Sequence, residues 1–142
     1  MINLLSGIDS TSAALNAERI RMDVVSENIA NINTTKGLDG KPYQRQEVNF
    51  ASVLQAQQNG EAGDGAQAVT IAQIVKDNRP PRMVYNPTHP DADADGMVAM
   101  PDINISEEMV DMIASSRSYE ANLAVAKNAR SMAMQDIAIG KH

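Results

Sequence analysis

Apolar residues recur at a fixed interval of seven near the start of the chain. Ile8, Leu15, Met22 and Ile29 form one series, and Leu4, Val25 and Ile32 fall on a second, completed by Thr11 and Glu18. Apolar groups repeating every 3.5 residues keep one stripe turned toward a partner helix. The pattern predicts a helix from about Asp9 to Ile32, with Arg19, Arg21, Asp23 and Glu27 on its polar side. Asn33, Gly37, Gly40 and Pro42 then end it. A second 3.5-type stripe closes the chain, through Met109, Met112, Ser116, Tyr119, Leu123, Ala126, Ala133 and Ile137, interrupted by Arg130. Ser106 is the expected N-cap of this helix and Gly140 its expected C-terminal stop. Glu107 and Glu108 place negative charge where the helix dipole favours it.

Between the helices the period changes. Tyr43 to Phe50 and Val69 to Val75 alternate loosely and read as two strands of a hairpin, joined across a Gln-, Gly- and Asp-rich stretch at 55–68 that is expected to be a flexible tip. Five of the six prolines fall between Pro80 and Pro101, so that stretch should be extended and stiff. Met83–Tyr85 and Met97–Met100 are short strand candidates inside it. The chain therefore divides into an N-terminal helix (1–34), a β-containing, proline-rich insert (35–105) and a C-terminal helix (106–142). The fold class expected is mainly α, with the long end helices forming an antiparallel coiled-coil layer around a small irregular insert.

Composition changes this picture in one respect. Among 142 residues there are nine Met, three Tyr, one Phe and no Trp. Large aromatics usually anchor a compact core. Ala, Val, Ile and Met suit close helix packing and adaptable contacts instead. A net charge of −6 with scattered Lys and Arg lacks the footprint of a nucleic-acid binder. Without cysteine there is no disulfide framework and no thiolate metal site. Asp9 interrupts the apolar N-terminus and no basic n-region precedes it, so no cleaved signal peptide is expected.

Candidate chemistry is sparse. Asp91-Ala-Asp93-Ala-Asp95-Gly96 matches the start of an EF-hand loop, but its twelfth position is Asp102 rather than a bidentate Glu, and prolines flank and enter it where helices should stand. A solvated acidic turn is the simpler reading. His89 and His142 are the only histidines and suggest no metal pair, and no nucleophile elbow or phosphate loop is present. No enzyme, cofactor or metal site is expected. The amides Asn28, Asn31 and Asn33 are more unusual. Helix termination accounts for Asn33 but poorly for Asn28.

Those amides carry a resemblance. Ser26-Glu-Asn28-Ile-Ala30-Asn31-Ile-Asn33-Thr34 is similar to the N-terminal signature of bacterial flagellar rod and hook proteins, and Ser118-Tyr119-Glu-Ala121-Asn122-Leu123 to the C-terminal one. Tyr85, Pro87, His89, Pro90, Gly96, Pro101 and Glu108–Met112 resemble the short proximal-rod members, although Met97 stands where an aromatic is usual. The resemblance implies a structural subunit of the flagellar basal body. It would be exported through the flagellar type III apparatus and assembled in the periplasm into the helical shaft that transmits torque and encloses the export channel. Implied partners are further copies of the chain, other rod proteins such as FlgB, FlgF and FlgG, and the junction protein FliE, with no nucleic acid and no membrane insertion. Within the subunit, Ile8, Leu15, Met22, Val25 and Ile29 would pack on Met109, Met112, Tyr119, Leu123 and Ile137. The signature residues, Asn28, Asn31, Asn33, Tyr119 and Asn122 foremost, would set contacts at helix ends or with neighbours. Two other readings share some of these features: a secreted helical effector or adaptor using a type III route, and a calcium-binding module using the 91–102 loop.

Overall fold

The computed structural model describes residues 4–52 and 69–139. Two long helices flank four short strands: α1 (Leu4–Ala30), β1 (Gln46–Ser52), β2 (Val69–Lys76), β3 (Arg82–Tyr85), β4 (Met97–Met100) and α2 (Ile105–Ile139). The strands form two separate antiparallel pairs, β1 with β2 and β3 with β4. In the first, Val48 faces Ile74, and the register slips between Asn49 and Phe50, where β1 bulges. In the second, Arg82 faces Met100 and Tyr85 faces Met97. Helix α1 packs on α2 and on the β1–β2 hairpin. The helices run in opposite directions: Asn28 meets Glu108, and Arg21, two turns back, meets Asp111.

Both helices and the β1–β2 hairpin lie close to where the periodicity puts them, and the two short strand candidates pair with each other as β3 and β4. The helix starts differ. α1 begins at Leu4 rather than near Asp9. α2 is capped by Asn104 rather than Ser106: Asn104 Oδ1 accepts the Ser106 amide at 3.0 Å, and Asn104 Nδ2 donates to Glu107 Oε1 at 3.2 Å. An Asn two residues before Ser106 reaches the free N–H groups of the first turn with good geometry, and Ser106 is then already helical. The expected stop at Gly140 and the tip at 55–68 lie outside the described residues.

The buried apolar groups are small: Ala17, Val24, Val25, Val48, Val98 and Ile103. Ser115 is buried with them, its hydroxyl returned to the Asp111 carbonyl at 2.8 Å. Small side chains let helix axes approach closely, and each contributes modest apolar area. Much larger groups are left uncovered on α2, among them Met109, Val110, Ile113, Val125, Met132 and Met134. Among the described residues, no helix is long and apolar enough to cross a membrane.

Candidate functional site

The side chains buried most completely are polar. Asn28 is 1% exposed and Glu108 0%. Burying such groups is unfavourable unless every hydrogen-bonding atom finds a partner. Here they do. Asn28 Nδ2 donates to the Gln46 carbonyl at 2.8 Å and to Glu108 Oε2 at 3.0 Å. Asn28 Oδ1 accepts the Gln46 amide at 2.9 Å and the Tyr43 hydroxyl at 3.0 Å. The carboxamide thus exchanges a donor and an acceptor with one backbone residue, as a hydrogen-bonded pair does across an antiparallel ladder. The α1 side chain acts as a strand residue at the start of β1. Asp in its place would lack both donors, and a hydrocarbon would lack all four functions.

Glu108 supplies the charge. Its second oxygen, Oε1, accepts Arg45 Nε at 2.6 Å. Arg45 also lies 3.6 Å from Asp111 and 3.8 Å from Glu47, and Asp111 is 3.4 Å from Arg21 on α1. Burial alone would weaken the Arg45 charge. The hydrogen bond that Arg45 donates to Glu108 and the negative charges of Glu108, Glu47 and Asp111 outweigh it and hold the guanidinium above its ordinary pKa. The Tyr43 hydroxyl is pushed up as well, first by burial and then by the charges of Glu27 and Glu108. A shallow cleft of about 160 Å³ opens beside the cluster, between Val24, Phe50 and Arg45. Its charged walls are already paired with one another.

The chain reaches this arrangement through the turn after α1. Asn31 donates twice to the Glu27 carbonyl near the helix end, from its side-chain Nδ2 at 2.9 Å and from its backbone amide at 3.0 Å. Asn31 Oδ1 and its carbonyl accept Thr34 Oγ1 and Thr34 N, at 3.1 and 3.0 Å. The Thr34 carbonyl in turn accepts the Tyr43 amide at 3.1 Å. Gly40, with φ of 70°, closes the intervening loop. The spacing of Asn28, Asn31 and Thr34 therefore reverses the chain so that Tyr43, Arg45 and Gln46 come back against the end of α1.

Other expected site residues are distributed more widely. Val25 is buried, and Leu15, Met22, Ile29, Met112 and Tyr119 are half-buried. Met109 is 54% exposed and Leu123 37%, and the inward position beside Met109 is Glu108. The side chains of Ile8 and Ile137 lie outside the described residues. Ser26, Ala30, Asn33 and Ser118 are exposed, and Asn122 is half-buried. His89 and Asp91 sit in the β3–β4 connection, where Thr35 Oγ1 donates to Asp91 Oδ2 at 2.8 Å. Asp93 Oδ1 accepts the amides of Asp95 and Met97 at 3.0 and 2.8 Å. This acidic loop joins two strands, and one of its carboxylates closes its own turn. Gly96 sits at φ of 75° with the Tyr85 ring and Pro87 against it, so Tyr85 and Pro87 of the signature shape this turn. No sequence pattern singles out Arg45; Glu108 stands out only as a first-turn acid at the start of the Glu108–Met112 resemblance, and Asn28 as an amide that helix termination does not explain.

Two antiparallel helices tied at one end by a paired polar cluster, with apolar groups left open along the second, define a class of two-helix chain with an uncovered apolar flank. Comparison with known proteins gives this class its family. The family model described as Flagella basal body rod protein matches residues 8–37, and that described as Flagellar basal body rod FlgEFG protein C-terminal matches residues 94–138. Similar along nearly their whole length are the proteins called flagellar basal-body rod protein FlgC of Borreliella burgdorferi (42% identical, 97% of this chain and 98% of that one) and of Bacillus subtilis (39%, 94% and 96%). The counterpart in Escherichia coli O6:H1 is 35% identical over 97% and 98%. The chain belongs to the flagellar basal-body rod family, in its FlgC-like branch. The two matched regions hold Asn28 and Glu108, the two ends of the buried cluster.

Proposed function

We propose that this chain is a structural subunit of the proximal rod, self-assembling with other rod components into the helical axial shaft that transmits torque and surrounds the export channel. Membership of a structural rod family makes it no enzyme and puts it in the basal body. The observation that carries the reading is α2. Val110, Met109, Ile113, Val125, Met132 and Met134 remain open to solvent along its length, large apolar groups that a neighbour can cover. Neighbouring subunits that repeat head to tail without closing generate a helical assembly, and each would cover this surface. In that assembly the end helices form the coiled-coil layer, and Leu123 and Met109 face neighbours. The partners are further copies and adjacent rod proteins such as FlgB, FlgF and FlgG, with FliE at the junction to the ring below. Assembly takes place in the periplasm after type III export.

Leu123→Asp tests this. It puts a charge on an exposed position of α2, whereas the Asn28 cluster, Val24 of α1 and Ser115 of α2 are buried. The chain should be made and should fold, but motility and rod yield should be lost. Normal swimming with rods of normal yield would overturn the assignment of this face.

A further inference from the structure

We propose that the turn carrying Leu38 docks into the cleft beside the Asn28 cluster of a second copy of this chain, as a head-to-tail contact. Leu38 is fully open to solvent, the most exposed large apolar side chain among the described residues. It stands on a closed turn. The Gly37 amide donates to the Lys41 carbonyl at 2.8 Å, and the Gly40 amide donates to the Gly37 carbonyl at 3.0 Å. Gly40 takes a φ of 70° there, which a side chain would resist. A single exposed leucine is common on protein surfaces. One held on a turn already fixed by its own backbone has little freedom left to lose on binding.

The cleft has the complementary form. Val24, Val25, Val48 and Phe50 line it, in a volume of about 160 Å³. An apolar cavity of about 150 Å³ holds benzene, so this space admits the four carbons of a leucine side chain. The charged lining residues already pair with one another, which leaves apolar surface to be covered rather than a charge to be neutralised. Charge decides the orientation. Three acids, Glu47, Glu108 and Asp111, stand against two arginines around the cleft, and the Glu47 carboxylate is 65% exposed. The turn has the opposite balance: Lys36 and Lys41 stand on either side of Leu38 with Asp39 alone against them, and all three are exposed. An apolar knob bracketed by cations thus meets an apolar cleft with a surplus of carboxylate. The turn and the cleft share no residue. A contact between two different patches of identical subunits passes from each copy to the next and extends unless the rotation closes a ring. This contact rests on the reading of the chain as a self-assembling rod subunit and names one place through which the copies join.

The absence of cysteine makes the contact testable in assembled rods. A strain whose only copy of the chain carries Asp39→Cys and Arg21→Cys keeps Leu38, both lysines and all three acids, and sets one thiol beside the knob and one at the cleft. The half-exposed Arg21–Asp111 pair that this removes contributes little. Purified basal bodies are treated with a short bis-maleimide, and the chain is followed by immunoblot and peptide mass. A ladder of linked copies, dimers and higher, joined 39 to 21 should appear, and neither single variant should give one. Adding Leu38→Asp should lower this linkage, per chain incorporated, by about tenfold or more, because full burial of a leucine is worth at least that factor and a carboxylate resists the same cleft. In the otherwise unaltered chain Leu38→Asp should impair swimming and Leu38→Met should preserve it; the position is fully exposed, so neither disturbs the fold of its own subunit. Rods of normal yield whose copies do not link 39 to 21 would overturn this contact and leave the rod reading standing. So would linkage within a single chain or to a different protein, or a Leu38→Asp strain that swims like its parent. A wild-type chain missing from the rods would overturn both.

Discussion

Replacing Asn28 with Ala removes one carboxamide and unpairs four partners: the Gln46 amide, the Gln46 carbonyl, the Tyr43 hydroxyl and one oxygen of Glu108. Three of these bonds are neutral, at about 1 kcal/mol net each, and the fourth is to a charge, at about 1.5–3 kcal/mol. The adjacent cleft admits water to some of the orphaned groups, so about 3 kcal/mol of the sum should be lost. In urea unfolding of the full-length chain followed by circular dichroism, with a slope of about 1.5 kcal/mol per M, the midpoint should fall by about 2 M. Asn28→Asp separates hydrogen bonding from shape. It keeps both acceptors, loses both donors and sets a second carboxylate against Glu108. Two carboxylates at that distance share a proton, so the folded pair binds it more tightly than the unfolded chain, where an Asp titrates near 3.9. The sign follows from linkage. The deficit is full above the raised folded pKa, shrinks as pH falls through it and vanishes below the unfolded value. The Asp variant should therefore be at least as unstable as Ala at pH 7 and recover relative to wild type toward pH 4. An Ala variant within about 0.5 kcal/mol of wild type, the range of ordinary surface changes, would refute the reasoning. So would an Asp deficit independent of pH.

Two further outcomes follow from local geometry. Gly96→Ala forces a side chain into positive φ and brings a Cβ within 3.0 Å of the Tyr85 ring and 3.2 Å of Pro87; about 1–2 kcal/mol should be lost, seen as faster hydrogen exchange across β3 and β4 with α1 unaffected. Tyr43, raised first by burial, contributes stability that is whole below the unfolded tyrosine value of about 10 and fades as pH climbs through its higher folded value; Tyr43→Phe should abolish this alkaline loss, read as urea midpoints against pH.

Elements with a strong period were legible from the residues alone. The seven-residue spacing of α1 and α2 and the alternation around Val48, Val69 and Met97 mark helices and strands whatever they pack against. What the period does not carry is which flank of a helix faces inward when Ala and Ser occupy it. Large side chains such as Met109 read as core, yet α2 turns Glu108 and Ser115 inward and leaves Met109 outside. Small residues permit the closest approach of two helices, so the deepest stripe need not be the most hydrophobic. The polar cluster was harder still. Glu108 reads as a first-turn acid complementing the helix dipole, and that role is compatible with its place. Its partners Arg45 and Asn28 lie 63 and 80 residues away, and nothing in the local pattern of a charged residue distinguishes a paired buried group from a solvated one. Only Asn28, an amide one turn before the helix end, was out of keeping with its setting. The Asp91–Asp95 run shows the converse: its spacing matches a calcium loop, but the flanking prolines already favoured the turn between strands that the structure has.

The central claim is that this chain is built into the rod. Intact basal bodies purified from the source bacterium and separated into rod and ring fractions, then analysed by quantitative mass spectrometry, test it most directly. The chain is expected in the rod fraction, in fixed ratio to the other rod proteins, with no rod in a strain that lacks it. A chain absent from clean basal bodies and recovered as a free protein elsewhere would overturn its assignment to the rod.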